Sequence, residues 1–274
     1  MGVTDLLITD LCPAPKTLQW CLKHFNTVHL LDHHQETEAY LPLVDIANNF
    51  KLDYSDKLCG AAVVYNHIKT SYKMTTREKE ILKLCNVYDL WKEDSPKDVW
   101  EAAHGLNDLF WYYSGLSFWG MLPVLDTLDM NDLSDNDKHQ IQANKELRTV
   151  TVENAVSHMT ETGSIISLLP DKSAVNYVAE LMDYTQFEDE SNGVYYNIYK
   201  TSTNSPWNCS IRSRGDLDIN IGKTLSHAVK THDMAENGGG HAKAGGMMFT
   251  SSDIHVILEY IENVLDEEVI NGNK

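Results

Sequence analysis

Residues 27–34 read Thr-Val-His-Leu-Leu-Asp-His-His, and the reading of that octet decides the fold. It opens on β-branched and apolar residues, the composition of a strand buried on both faces, and stops in a carboxylate followed by two imidazoles. Upstream, Val3 to Leu11 is another short apolar run that closes on Asp10. Between the two runs, Lys16 to Phe25 carries Leu18, Cys21, Leu22 and Phe25 at helical spacing. Strand, helix, strand in that order predicts parallel strands joined by a right-handed crossover, and an α/β fold class. Both strands would deliver acidic or imidazole groups at their C-terminal ends, where an open α/β sheet has its ligand crevice.

Further along, 42–57 reads as a loop. Cys59-Gly60-Ala61-Ala62 then starts a helix whose small residues let another group approach its first turn. Helices follow at roughly 76–91, 98–114 and 117–128, the first opening at Thr75-Thr76. The uncharged run 109–125 contains Gly115, Gly120 and Pro123 and lacks basic flanks. It reads as a buried helix–turn–helix and not as a membrane span. Residues 134–160 are polar, free of Pro and Gly, and begin at a Ser134-x-x-Asp137 capping signal, which suits an exposed connecting helix. Strands are expected at 165–169, 194–199 and 207–211, with helices between them, one of them at 219–229 capped from Asp216-Leu217-Asp218.

Lys and Arg number 22 against 40 Asp and Glu, a formal net charge of −18. Such a surface opposes a grip on long nucleic acid, which needs a basic stripe. It leaves room for a small anion held by local Arg, metal ions or helix N-termini. The cysteines (12, 21, 59, 85 and 209) are odd in number and scattered. With no signal segment at the N-terminus, they read as reduced thiols of a cytoplasmic protein with no membrane partner.

Two clusters carry chemistry. Asp32-His33-His34 offers carboxylate and imidazole donors of the kind that suit a borderline divalent metal such as Mn²⁺, Co²⁺ or Zn²⁺; the alternative is a pair of solvent-facing histidines in a loop. Gly238-Gly239-Gly240-His241-Ala242-Lys243-Ala244-Gly245-Gly246 could aim backbone N–H groups at an anion, with a helical turn after His241 facing a phosphate; the alternative is a flexible glycine turn. Gly222-Lys223-Thr224 imitates the end of a P-loop, but Leu217 stands where a glycine is required. The remaining histidines, His29 and His67 among them, are scattered and read as surface or core residues.

Taken together, the two clusters resemble the DHH phosphoesterase superfamily with its C-terminal DHHA1 domain, and the branch they are most similar to is the bacterial oligoribonuclease (nanoRNase) type. The resemblance spans nearly the whole chain. It also rests on Leu7-Ile8-Thr9-Asp10, Tyr88-Asp89-Leu90-Trp91, Leu106-Asn107-Asp108-Leu109-Phe110 and Ser210-x-Arg212. It implies a parallel-sheet DHH domain at 1–133, a connecting helix at 134–162 and a smaller α/β DHHA1 substrate domain at 163–274. It further implies a metal-dependent phosphodiesterase that hydrolyses short oligonucleotides or small nucleotide phosphodiesters with metal-activated water, using two Mn²⁺ ions. Asp10 would bridge the metals and His33 and Asp89 would complete one shell. His34 would meet the scissile phosphate and Asp32 would orient the histidines. Arg212 and the loop Gly238, Gly239, Gly240 and His241 would hold the substrate's phosphate or terminal nucleotide, with Arg214 a weaker candidate. The family's opening His-x-Asp-x-Asp motif has no counterpart in these residues. The first domain is therefore read as N-terminally truncated, with a homodimer or a complementing polypeptide as the expected partner; the other function held open is an impaired nucleotide-binding protein.

Overall fold

The computed structural model describes residues 4–92, 94–114, 125–169, 190–214 and 216–271. The chain divides into two compact units, Met1–Gln140 and Ile141–Lys274, each α/β.

In the first unit, β1 (Asp5–Thr9), β2 (Thr27–Asp32) and β3 (Phe50–Tyr54) form a parallel sheet in the order β1-β2-β3. The helix α1 (Pro15–His24) is the expected crossover. Its Leu18 and Cys21 are buried against Val28, Leu30 and Phe50, with Leu6, Ile8, Leu22 and Phe25 packed around them. The alternation of β1 puts Leu6 and Ile8 into that core and leaves Leu7 exposed. The loop expected at 42–57 in fact contains β3, which pairs in register with β2 from Val28↔Phe50 to Asp32↔Tyr54. Lys51 and Asp53 masked its strand character, and the free edge of β2 overrode local preference.

Beyond β3 lie α2 (Gly60–Ile68), α3 (Thr76–Asp89) and α4 (Lys97–Ser114). α3 opens with a complete capping box: the Thr75 hydroxyl accepts the Glu78 N–H at 3.2 Å, and the Glu78 carboxylate accepts the Thr75 N–H at 2.6 Å. Most of the helix expected at 117–128 falls at 115–124, outside the described residues. No helix among the described residues is long and apolar enough to cross a membrane.

The division between the units falls within α5 (Asp135–Glu153). That helix is shorter than the expected 134–160, because Val156–Met159 leaves it to form β4, antiparallel to β5 (Ile165–Leu168). The second unit's sheet has the order β4-β5-β6-β7-β9-β8, with β6 (Val194–Lys200), β7 (Trp207–Ser213), β8 (Ala235–Gly240) and β9 (Ala244–Phe249). The helix α6 (Ile221–Thr231) packs on it. It is capped by Asn220, whose side chain accepts the Lys223 N–H at 3.0 Å, and not from Asp216-Leu217-Asp218 as the sequence suggests. α7 (Ile254–Tyr260) runs through a π turn at Ile261–Leu265 into α8 (Asp266–Asn271). Asp266 is fully buried, and its carboxylate accepts hydroxyls from Thr160 (2.9 Å), Thr162, Ser164 (2.6 Å) and Tyr196 (2.9 Å).

Candidate metal centre

The register of the first sheet aligns the two strand ends. Thr9 pairs with Leu31, and the Asp10 N–H continues the ladder onto the Leu31 carbonyl at 3.0 Å. Asp10 therefore stands beside Asp32 and His33 where β1 and β2 both stop. Its backbone leaves the strand at φ 53°, in the left-handed region that aspartate tolerates better than most residues. The Asp10 side chain lies against the first turn of α2. A Cβ added at Gly60 would sit 2.1 Å from Asp10 Oδ1, so the close approach expected at 59–62 is that of this carboxylate, at the positive end of the helix.

Asp89 arrives from the last residue of α3. The helix ends in a Schellman motif, with Trp91 N–H on the Tyr88 carbonyl (3.1 Å) and Lys92 N–H on the Val87 carbonyl (3.0 Å). Its left-handed position, ordinarily glycine, is Trp91 at φ 52°. The ring of Trp91 is held edge-on against Trp100 at 5.2 Å and Tyr88 at 6.0 Å. Asp10 and Trp91 are the only non-glycine residues with positive φ among those described. One is a candidate ligand and the other closes the turn that carries the next.

The fold brings these groups together around one nitrogen. His33, buried to 2% exposure, has Nε2 at 3.0 Å from Asp10 Oδ1 and 3.4 Å from Asp89 Oδ2. Beside it, His34 Nδ1 lies 2.7 Å from Asp32 Oδ1, and the Thr37 hydroxyl donates to Asp32 Oδ2. The two imidazole rings are 4.6 Å apart. Asp10, Asp32, His33 and His34 place possible ligand atoms within 4.8 Å of one another.

The electrostatics divide the carboxylates. The hydrogen bond from His33 holds Asp10 below the usual carboxylate range, against some burial. Burial pushes Asp32 up, but the hydrogen bonds from His34 and Thr37 outweigh it and leave it lowered. The same contact with Asp32 raises His34. Asp89 is raised by burial first, with His33 opposing and Asp10 adding repulsion. The donor set fits a divalent cation: two carboxylates meet one imidazole edge, and one of them is held in a setting that disfavours its charge. Thr37 carried no sequence signal, since nothing in the order of residues says that its hydroxyl folds back under Asp32.

In the second unit the sequence-read residues share one sheet. Arg212 on β7 pairs in register with Tyr195 and Ala244, while Gly239 and Gly240 on β8 pair with Gly246 and Gly245 on β9. The Arg212 guanidinium donates to Ser210 Oγ at 3.1 Å, the Ile211 carbonyl at 2.9 Å and the Gly245 carbonyl at 3.4 Å. Arg214 is exposed and pairs with Asp216 at 3.2 Å. The helical turn expected after His241 does not form, because that segment is the β8–β9 turn and β9. Nor do the first amides of α6 await an anion: the Ile221 and Gly222 N–H groups donate to the carbonyls of Ala242 and His241 at 2.9 and 3.0 Å. Two of the glycines meet a packing demand. A Cβ at Gly245 would lie 2.7 Å from both Ile221 and Leu225, and one at Gly222 would lie 2.2 Å from the Gly240 carbonyl; without side chains there, α6 lies flat on the hairpin.

No family model and no curated protein matches the chain. Solved structures do. A DHH domain described as a member of a family of ribosomal proteins superposes with a TM-score of 0.61 at 12% identity, over 97% of this chain and 69% of that one. A pGpG-specific phosphodiesterase, PggH from Vibrio cholerae, gives a TM-score of 0.49 at 13% identity, covering 97% and 99%. The exonuclease RecJ bound to manganese gives 0.38 at 12%, covering 98% and 75%. The chain has the fold of the DHH-domain proteins.

Proposed function

We propose that the chain is a metal-dependent phosphodiesterase that hydrolyses short oligonucleotides or small nucleotide phosphodiesters. The observation that carries this reading is the convergence of Asp10 and Asp89 on His33 Nε2, at 3.0 and 3.4 Å, with the His34–Asp32 pair alongside. Asp10, His33 and Asp89 would hold a borderline divalent ion, for which mixed carboxylate and imidazole donors favour Mn²⁺ or a neighbour of it. When bound, such an ion supplies Lewis acidity to a phosphoryl oxygen and lowers the pKa of water. The remaining residues bind and orient. Asp32 is fully buried, fixes the His34 ring through Nδ1 and raises its pKa, so that His34 would be oriented to donate to a phosphate oxygen. Thr37 locks Asp32 from below. In the second unit, Arg212 and the 238–241 turn would receive the substrate's terminal phosphate or nucleotide, the guanidinium being held in place by backbone carbonyls. The net charge of −18 suits a short substrate better than a long strand.

The test is hydrolysis of a labelled RNA dinucleotide in Mn²⁺, with His33→Ala beside the wild type. Cleavage that the substitution abolishes is expected. A wild type that binds the dinucleotide yet never turns it over would overturn the reading in favour of a nucleotide-binding protein.

A further inference from the structure

Besides the centre just described, the fold gathers a second mixed set of donors in the first unit, from residues that looked unrelated in the sequence. His29 lies in the middle of β2, Asp53 is on β3, and His67 is in the last turn of α2. Strand alternation puts His29 on the same face as Leu31, and Asp53 is the register partner of Leu31. α2 lies over that face. His67 Nδ1 is 2.8 Å from Asp53 Oδ2, and His29 Nε2 is 3.2 Å from the same oxygen. The two rings meet edge-on with centroids 4.5 Å apart. Ligand atoms from all three residues lie within 4.8 Å of one another. Asp53 and His67 also line a cleft of about 470 Å³ shared with Tyr54, Ser55, Leu58 and Asn66.

We propose that His29, Asp53 and His67 form a second metal site, for a Zn²⁺-type divalent cation, with its remaining coordination position open to the cleft. Two imidazoles and a carboxylate, with a place left for water, are the donor set of open zinc sites. Tetrahedral bonds of ~2.1 Å separate neighbouring ligand atoms by roughly 3.4 Å, against the 2.8 and 3.2 Å from Asp53 Oδ2 to the two imidazoles. The chemistry selects the class of ion. Lys51, the register partner of His29, adds a cation to the neighbourhood, so charge alone gives little attraction. A hard ion such as Mg²⁺ or Ca²⁺, which relies on several carboxylate oxygens, is poorly served, whereas imidazole donation serves Zn²⁺ or Co²⁺. All three ligands sit on regular elements, two strands and a helix, which fixes their geometry better than loops would. Binding would pin the C-terminal end of α2 to the sheet, about 10 Å along the helix from Gly60 at ~1.5 Å per residue. The site is independent of the proposed hydrolysis.

The test loads the full chain with Co²⁺ or Zn²⁺ alone and reads stoichiometry by equilibrium dialysis, with visible Co²⁺ spectra as a second readout. It uses a His33→Ala/Asp89→Ala background to remove the first centre. One equivalent of ion is expected in that background, with the intense absorption of four-coordinate Co²⁺. Adding His67→Ala, at a partly exposed side chain, should remove both signals while leaving the far-UV circular dichroism spectrum unchanged. His67→Ala in the wild-type background should lower the stoichiometry by one. A background variant that retains no ion, or a His67→Ala protein that keeps its full complement, overturns the proposal.

Discussion

Gly60→Ala separates the candidate centre from the stability of the unit that carries it. The substitution adds one carbon at the first position of α2, where it would meet Asp10 Oδ1 at 2.1 Å, Cγ at 2.4 Å and Cβ at 2.7 Å. Ordinary contact begins at 3.4 Å, so the carboxylate oxygen must retreat by at least 3.4 − 2.1 = 1.3 Å. Asp10 has little room to comply, because its backbone N–H is tied to Leu31 and its φ is already 53°. The side chain has to turn away from His33, giving up the 3.0 Å contact. A displacement of that size in a reacting or ligating group costs about 10²-fold in rate. The helix itself gains, since Ala is favoured over Gly by up to ~1 kcal/mol. The expected outcome is a fall of about 10²-fold in Mn²⁺-dependent kcat/KM on the labelled dinucleotide, with weaker Mn²⁺ binding and an unchanged or raised Tm. A variant with wild-type Mn²⁺ affinity and turnover would refute the placement of Asp10 as a ligand. A loss of activity accompanied by unfolding would refute the argument that the glycine serves the site and not the packing.

The remaining expectations concern other parts of the molecule. Asp89→Asn removes a carboxylate whose pKa is raised in the folded protein. Such a group opposes folding above its ordinary pKa, so at pH 7 the metal-free Tm should hold or rise while the Mn²⁺-induced increase disappears; a metal-free Tm lower by several degrees contradicts this. Asp266→Ala strips the acceptor from the Thr160, Thr162, Ser164 and Tyr196 hydroxyls. At ~1–3 kcal/mol for each buried polar group left unsatisfied, urea denaturation should show a large loss of stability, and a midpoint unchanged from wild type counts against the network. Arg212→Ala should raise KM for the dinucleotide far more than it lowers kcat, and an effect confined to kcat would remove Arg212 from substrate binding. Burial pushes the Cys85 thiol up to about 11 from 9.0. At pH 8 its alkylation by iodoacetamide should run about a hundredfold slower than in urea, one tenfold step per unit; equal rates would mean that the thiol is not shielded.

What was legible in the sequence and what was not differ by the range of the interaction involved. Val28, Leu30 and Leu31 announce a doubly buried strand, and the stripe Leu18, Cys21, Leu22 and Phe25 announces its crossover helix, because both patterns are local. Asp10 and Asp32 could be placed at one end of the sheet for the same reason, as parallel strands joined by one crossover bring their C-terminal ends together. β3 is not legible locally, since Lys51 and Asp53 alternate with residues that only pairing with β2 makes strand-like. The 238–246 segment is more instructive. Its glycines read in sequence as freedom to approach a ligand, and at Gly245 the fold adds a second demand, because Ile221 and Leu225 on α6 occupy the space a side chain there would need. Glycine reports close approach but not what approaches. Gly60 and Gly245 look alike in sequence, and only the fold tells a carboxylate from a helix. His29 and His67, scattered along the chain, become neighbours because β2 and α2 cross.

The charges at the first centre explain why its residues fall into two sets. Asp32 repels Asp10 and Asp10 repels Asp89, and a buried carboxylate such as Asp32 would be costly without partners. Asp32 is provided for within the protein: it is fully buried, and hydrogen bonds from His34 and Thr37 hold its carboxylate below the usual range. Asp10 and Asp89 are not equivalently served. They share one nitrogen of His33, and their pKa values move in opposite directions as that single contact settles mainly on Asp10. Had stability alone shaped this corner, an asparagine at position 89 would have served as well at lower electrostatic cost. The aromatic packing of Trp91 on Trp100 and Tyr88 instead holds the strained helix end that carries Asp89 toward Asp10. That leaves Asp10 and Asp89 as the two carboxylates facing one imidazole edge, an arrangement that a divalent cation would complement.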